Sequence, residues 1–278
     1  MRKFAILGHP LGHTMSPEIH RRLFALSGRE GEYEVLSIPP EKLRESFPLL
    51  RELSGFNVTI PHKVDIMEFT GALDESARRY GAVNVVDCRG PVTGYNTDCV
   101  GFLKAVQPAG ADLSRPVCVM GAGGAGRMFA IESALHGAAV TIAVLERHFP
   151  LAEKVRGEIL SLRPGARVEI TALDALSGDF ELLVNATPCG MYPHVDEMPV
   201  GEAVLPRCRV VFDAVYNPTE TLLLQKAAAA GCRTVGGMAM LVWQAVAAHE
   251  IWDGVSYRPV DIDALVEEMT REVARKFC

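Results

Sequence analysis

The sequence predicts an α/β protein in two domains, and three observations lead there. Strand-like and helix-like segments alternate along most of the chain. Most of the strand-like segments are near-continuous apolar runs, as parallel strands covered on both faces should be. The third is length, since 278 residues exceed what a single core serves comfortably.

The first series opens with "KFAILG", a helix from Pro17, "YEVLSI", a helical stretch with Pro48 as its break, and "FNVTI". This βαβαβ order predicts parallel pairing. Two β-rich pieces follow in "AVNVVDCRGPVTGYNTD" and read as a hairpin about Arg89-Gly90-Pro91, so the first sheet is mixed but mostly parallel. The second series starts near Arg115 with "PVCVMG", a helix over Gly124 to His136, "VTIAVLE", a helix from about Leu151, then "VEITAL", "ELLVNAT" and "VVFDAVY". The tail, "MAMLVWQAVAAHEIW" and "DIDALVEEMTREVARKF", has helical apolar spacing and no strand partner. Such helices can pack back on the first series, which predicts a discontinuous domain of residues 1–101 and 238–278 around a second of residues 102–237.

Composition narrows the function. Hydrophobic residues make up 49% and charged residues 22%, enough to build ordinary cores. The net charge of −6 and the lack of any Lys/Arg cluster argue against nucleic acid and for a small-molecule ligand. No apolar run is long enough to span a bilayer, and "MRKFAILGHP" reads as a first strand rather than a signal peptide. Seven scattered cysteines without a C-x-x-C pair, with Cys118 and Cys208 in predicted buried strands, predict reduced thiols and a cytoplasmic protein. No feature sets an oligomeric state. His9 and His13 lie four apart, but Pro10 and Gly12 deny them the helix of a metal pair, and both read as loop histidines.

The strand "PVCVMG" runs into "GAGGAG", placing Gly121, Gly123 and Gly126 as G-x-G-x-x-G between a strand and a helix. That context predicts a Rossmann-type dinucleotide-binding domain: a tight turn, an open backbone for pyrophosphate, and close helix packing. About 20 residues further on, Glu146 ends the next strand, where an acid accepts from ribose hydroxyls and points to NAD. Arg147 beside it could instead pair a 2′-phosphate and point to NADP. The expectation leans to NAD.

Ligands in open α/β sheets bind beyond the carboxyl ends of strands. Lys63 follows one such end, and Thr14 and Ser16 follow another with uncharged hydroxyls suited to a carboxylate. Each has a structural alternative: Lys63 as a solvated lysine, Ser16 as a helix cap before Pro17, Asp98 as a first-turn acid. Asn84, inside "GAVNVV", needs partners if buried. Hydride transfer to or from an alcohol needs a group that moves the hydroxyl proton, and Lys63 with Asp98 is the pair available for it.

In order along the chain, "GHPLGHTMSPEIH", "FNVTIPHK", "GAVNVV", "GYNTDCVGF", "GAGGAG", "NATPCGM", "DAVYNP" and "MLVWQAVAAHEIWDG" resemble the shikimate dehydrogenase family. The resemblance implies a two-domain enzyme reducing 3-dehydroshikimate to shikimate with a nicotinamide cofactor. It implies Lys63 and Asp98 as the catalytic pair, Thr14 and Ser16 at the substrate carboxylate, and Thr59, Asn84, Asp98 and Gln244 at the ring hydroxyls. Tyr216 falls near nicotinamide and substrate. The cofactor set is Gly121, Ala122, Gly123, Gly124, Ala125, Gly126, Glu146, Arg147, Thr187 and Gly237. The chain departs from the family pattern at Thr14 (usually serine), Val85 (threonine), Gly126 (often alanine or serine) and His249 (phenylalanine). It also lacks the Asn-Arg-Thr of NADP-using members in "VLERH". An NAD-dependent quinate/shikimate dehydrogenase is therefore the alternative. A non-catalytic dinucleotide-sensing module is the alternative from another class.

Overall fold

A computed structural model describes residues 2–12 and 14–277, so the loop-histidine reading of His13 lies outside the described residues. The chain divides into two compact units, Met1–Gly101 with Leu241–Met269, and Phe102–Met240 with Thr270–Cys278. The fold class is the α/β class that the alternation predicts.

The first unit contains β1 (Lys3–Gly8), α1 (Ser16–Ser27), β2 (Glu32–Ser37), α2 (Leu43–Leu50), β3 (Gly55–Val58), β4 (Ala72–Leu73), α3 (Glu75–Tyr80), β5 (Val85–Asp87) and β6 (Thr93–Tyr95). Helix α4 (Asp98–Val106) begins there. The sheet order is β2-β1-β3-β5-β6-β4. Strand β1 pairs in parallel with β2 and β3, while β5 runs antiparallel to both β3 and β6. The hairpin supplies the antiparallel part, and β4 adds a short parallel edge beside β6. Pro48 does not break α2: it sits in the last turn, and the helix ends two residues later at Leu50. The proline forfeits one hydrogen bond, that of its missing N–H to the Arg44 carbonyl four residues back, and the helix runs only two residues beyond it.

The second unit contains β7 (Val117–Met120), α5 (Gly124–His136), β8 (Val140–Val144), α6 (Phe149–Leu162), β9 (Val168–Ala172), β10 (Phe180–Asn185), β11 (Cys208–Asp213), α7 (Leu222–Ala229) and β12 (Arg233–Gly236). Its sheet, β12-β11-β10-β7-β8-β9, is parallel throughout. Strand β12 escapes a hydropathy reading because Arg233 and Thr234 are exposed. Its place at the sheet edge removes the need for a continuous apolar run.

Helices α8 (Gly237–Asp253) and α9 (Pro259–Phe277) complete the chain. Residues from Leu241 onward bring α8 into the first unit. Trp252 is fully buried there with Phe4, Phe24, Val85 and Ala248, its ring centroid 4.7 Å from that of Phe4. Its indole N–H donates to the Val86 carbonyl at 3.0 Å. Burying a large aromatic side chain contributes about 1.5–3 kcal/mol. That anchor seats α8 on the sheet and so carries Gln244 to it. Among the described residues, no helix is long and apolar enough to cross a membrane.

Candidate active site

The turn after β3 presents Lys63. His62 N–H donates to the Thr59 carbonyl at 3.0 Å, and the Lys63 carbonyl accepts from Val83 N–H at 2.7 Å. The His62 ring lies 2.6 Å from the Ile38 carbonyl, an acceptor only, so Nε2 carries the proton and donates. With its backbone held on both sides, Lys63 donates from Nζ to Asp98 Oδ2 at 2.6 Å. Both side chains are partly exposed, at 29% and 19%, so the pair adds little to stability. It fixes an amine beside a carboxylate at the carboxyl end of a strand.

Asp98 opens α4, yet its carboxylate is engaged by side chains. Its second oxygen accepts from Asn84 Nδ2 at 2.8 Å. Buried Asn84 makes its partners among the same group: Oδ1 accepts from Thr97 N–H at 2.7 Å, and Nδ2 also faces Thr97 Oγ1 at 3.0 Å and Gln244 Oε1 at 3.4 Å. Gln244 donates to the Leu241 carbonyl at 2.8 Å, and its own carbonyl accepts from Thr97 Oγ1 at 3.0 Å. Lys63, Asn84, Asp98 and Gln244 therefore form one cluster, with Asn84 as its hub and Thr97 tying Asn84 to the Gln244 backbone. Thr97 escaped the sequence reading although it stands inside "GYNTD"; a threonine carries no signal of its partners.

Ser16 does not cap α1. It is the first helical residue, and the helix has no side-chain cap. The Ser16 N–H donates to Thr14 Oγ1 at 3.2 Å, and the two hydroxyl oxygens lie 3.2 Å apart, which joins the expected pair. Thr59 follows β3 directly, its N–H donating to the Leu7 carbonyl at 2.8 Å.

In the second unit the glycine turn joins β7 to α5. Gly121 has φ of +102°, and a Cβ at Gly126 would stand 2.2 Å from the Gly121 carbonyl oxygen. A Cβ at Gly123 or Gly124 would meet nothing within 4 Å, and Gly123 caps α5 with no side-chain bond. The first-turn N–H groups thus meet an open cradle, which suits a pyrophosphate. Ala122 is buried and Ala125 exposed on either side of that cradle.

Thr187 follows β10, its N–H and Oγ1 both donating to Asn185 Oδ1, at 3.0 and 2.7 Å. A Cβ on Gly237 would lie 2.3 Å from the Ala214 carbonyl. Tyr216 lies beyond β11, half-buried, and burial pushes its phenol upward. Beneath these residues Asn185 Nδ2 donates to Asp213 Oδ1 at 2.9 Å and Thr221 Oγ1 to Asp213 Oδ2 at 2.6 Å. Burial pushes the Asp213 carboxyl up to about 6, although its hydrogen bonds pull the other way. The ends of two apolar strands concealed this network from a sequence reading.

A dinucleotide cradle in one unit and a lysine–carboxylate cluster in the other define a nicotinamide-dependent dehydrogenase. Residues 6–86 match the family model described as the shikimate dehydrogenase substrate binding domain. A curated shikimate dehydrogenase (NADP(+)) of Methanocaldococcus jannaschii is 35% identical over 96% of both chains. The chain belongs to the shikimate dehydrogenase family. Among solved structures, a chorismate mutase/shikimate 5-dehydrogenase fusion protein from Clostridium acetobutylicum aligns over 98% of both chains with 33% identity and a TM-score of 0.87. A shikimate 5-dehydrogenase from Thermus thermophilus, in complex with NADP(H) and shikimate, aligns over 96% of this chain and 99% of that one, with 32% identity and a TM-score of 0.84.

These relatives overturn the leaning to NAD drawn from Glu146, because the curated relative is named for NADP(+) and the Thermus structure carries NADP(H). The local geometry explains why Glu146 misleads. Glu146 and Arg147 both stand exposed in a short 3-10 turn after β8, and among the described residues neither has an ion-pair partner. Both line a cavity of about 620 Å³ with Asp174 and Met198. An unpaired guanidinium there is as available to a phosphate as the acid is to a hydroxyl.

Proposed function

We propose that this chain interconverts 3-dehydroshikimate and shikimate with NADP, Lys63 giving or taking the proton of the reacting hydroxyl. The observation that carries the reading is the 2.6 Å contact of Lys63 with Asp98 inside a cluster that also holds Asn84 and Gln244. When bound, NADP supplies or accepts the hydride. The chain's own residues do the rest. Asp98 orients the lysine and accepts from a substrate hydroxyl, Asn84, Thr59 and Gln244 bind the other ring hydroxyls, and the Thr14 and Ser16 hydroxyls take the carboxylate. A positioned acid–base group of this kind contributes about 10²–10⁴-fold to rate. The Gly121 to Gly126 turn would hold the pyrophosphate and Arg147 the 2′-phosphate, with Thr187, Gly237 and Tyr216 toward the nicotinamide end. Residues 1–101 and 238–278 form the substrate part and 102–237 the cofactor part in this reading.

The test is the initial rate of shikimate oxidation with NADP and with NAD, with quinate run in parallel. Shikimate with NADP should be the fastest combination. Quinate turnover comparable to shikimate would move the chain to a broader specificity, and no shikimate turnover with either cofactor would overturn the reading.

A further inference from the structure

Asn96 lies between β6 and α4, 4% exposed, and every polar group it carries is engaged. Its Oδ1 accepts the Asp98 N–H at 3.1 Å. Its Nδ2 donates to the Ala82 carbonyl at 3.0 Å. The Ala82 carbonyl and the Val83 N–H belong to one rigid peptide group. That same Val83 N–H donates to the Lys63 carbonyl at 2.7 Å. One planar unit therefore joins the turn carrying Lys63 to the loop carrying Asp98, and the Asn96 amide makes the join on the Asp98 side.

A second tie holds Asn96 from behind. Its backbone N–H donates to Ser76 Oγ at 2.9 Å, and the Ser76 hydroxyl donates to Asp74 Oδ1 at 2.7 Å. Asp74 is the cap of α3, where Oδ1 also accepts the Ala77 N–H at 2.9 Å. Capping α3 requires Asp74 and the Ala77 N–H alone. The Ser76 link to Asn96 adds nothing to that cap; it fixes the loop that presents Thr97 and Asp98.

We propose that Asn96 is a positioning residue that registers the Asp98 carboxylate against Lys63 through the Ala82–Val83 peptide group, with Ser76 steadying it from α3. This inference rests on the proposed roles of Lys63 and Asp98. An amide does this where other side chains fail, because it must accept from one backbone group and donate to another at once. A serine at 96 reaches the Asp98 N–H in a local turn but not the Ala82 carbonyl.

The experiment uses the full chain and the variants Asn96→Ala, Asn96→Ser, Ser76→Ala and Ser76→Thr. Two quantities are read: kcat and KM for shikimate with NADP, and the acetylation rate of Lys63 relative to exposed Lys42 by peptide mass spectrometry. Misplacing a catalytic group by about 1 Å costs on the order of 10²-fold, so Asn96→Ala should lose about 10- to 100-fold in kcat, more than it changes KM. Its Lys63/Lys42 acetylation ratio should rise at least about fivefold as the carboxylate leaves the amine. Asn96→Ser should behave like Asn96→Ala, Ser76→Ala should shift both quantities less, and Ser76→Thr should restore them. If Asn96→Ala fails to fold, Ser76→Ala decides alone. Both quantities within about twofold of the parent, well inside the expected 10- to 100-fold, overturn the proposal. Should the parent not turn over shikimate, the functional reading fails and the acetylation ratio still decides this one.

Discussion

Lys63 illustrates how little a residue reveals in isolation. An exposed lysine after a strand is ordinarily solvated. Here its Nζ is 2.6 Å from a carboxylate that a buried asparagine holds in place at 2.8 Å. Truncation to Lys63→Ala removes the proton-moving group and leaves Asn84, Gln244 and the hydroxyls where they are. We expect kcat for shikimate oxidation to fall by about 10²–10⁴-fold, with shikimate affinity by calorimetry changed far less. A kcat within a few fold of the parent would assign the proton step elsewhere. Of this cluster, Lys63, Asn84 and Asp98 were legible because each is a polar group at a strand end or inside an apolar run. Gln244 was legible only through family likeness, since within α8 it reads as a polar interruption of a buried face. Thr97 was not legible at all: its two partners lie 13 and 147 positions away in sequence.

At the scale of elements, the glycine turn and α5 form one piece of packing. The Gly126 backbone lies against the Gly121 carbonyl, with 2.2 Å to any added Cβ. Alanine is frequent at this place in the family, but here it would meet backbone rather than a side chain that can swing away. Overpacking of this kind costs about 1–3 kcal/mol. Gly126→Ala should therefore weaken NADP binding by about fivefold or more and lower the melting temperature, both measurable by titration and thermal unfolding. A variant that binds NADP as the parent does would show that α5 shifts freely. Hydropathy revealed β7, β8, β10 and β11 readily because buried parallel strands are apolar throughout. It missed β4, β12 and α3, which are short or exposed at a sheet edge.

At the scale of the whole molecule, acid stability follows from a buried pair in the first unit. His20 Nδ1 lies 3.0 Å from His249 Nε2, and His249 Nδ1 lies 3.1 Å from Tyr257 Oη. The Tyr257 hydroxyl donates to the Leu23 carbonyl, so His249 Nδ1–H donates to Tyr257 and His20 Nδ1–H donates to His249. A second proton on His249 would have to sit on the Nε2 that accepts from His20, and one on His20 would sit on its Nε2, which is buried without a hydrogen-bond partner. Burial, then the His249 charge, holds the His20 imidazolium well below its usual range, and burial with Arg2 brings His249 down to about 3. Both pKa values are lowered on folding, so the unfolded chain binds more protons below about 6.5. Stability is then fully present above that pH and is lost as pH falls, by up to about 1.4 kcal/mol per pH unit for each histidine. His249→Phe should halve this dependence between about pH 6.5 and 5 while costing about 1–3 kcal/mol at neutral pH, because His20 loses its acceptor. Denaturant unfolding at the two pH values measures both, and an unchanged slope would mean the pair does not govern acid stability. The sequence by itself determined the α/β class, the alternation of elements, the dinucleotide turn and the polar residues near strand ends, because periodicity and turn chemistry are local. Only the tertiary structure decided which of those polar groups meet, how Asn96 and the Ala82–Val83 peptide tie two loops together, and where the buried histidines titrate. Those outcomes depend on distances between segments far apart in the chain, and a strand or helix pattern carries no record of its neighbours.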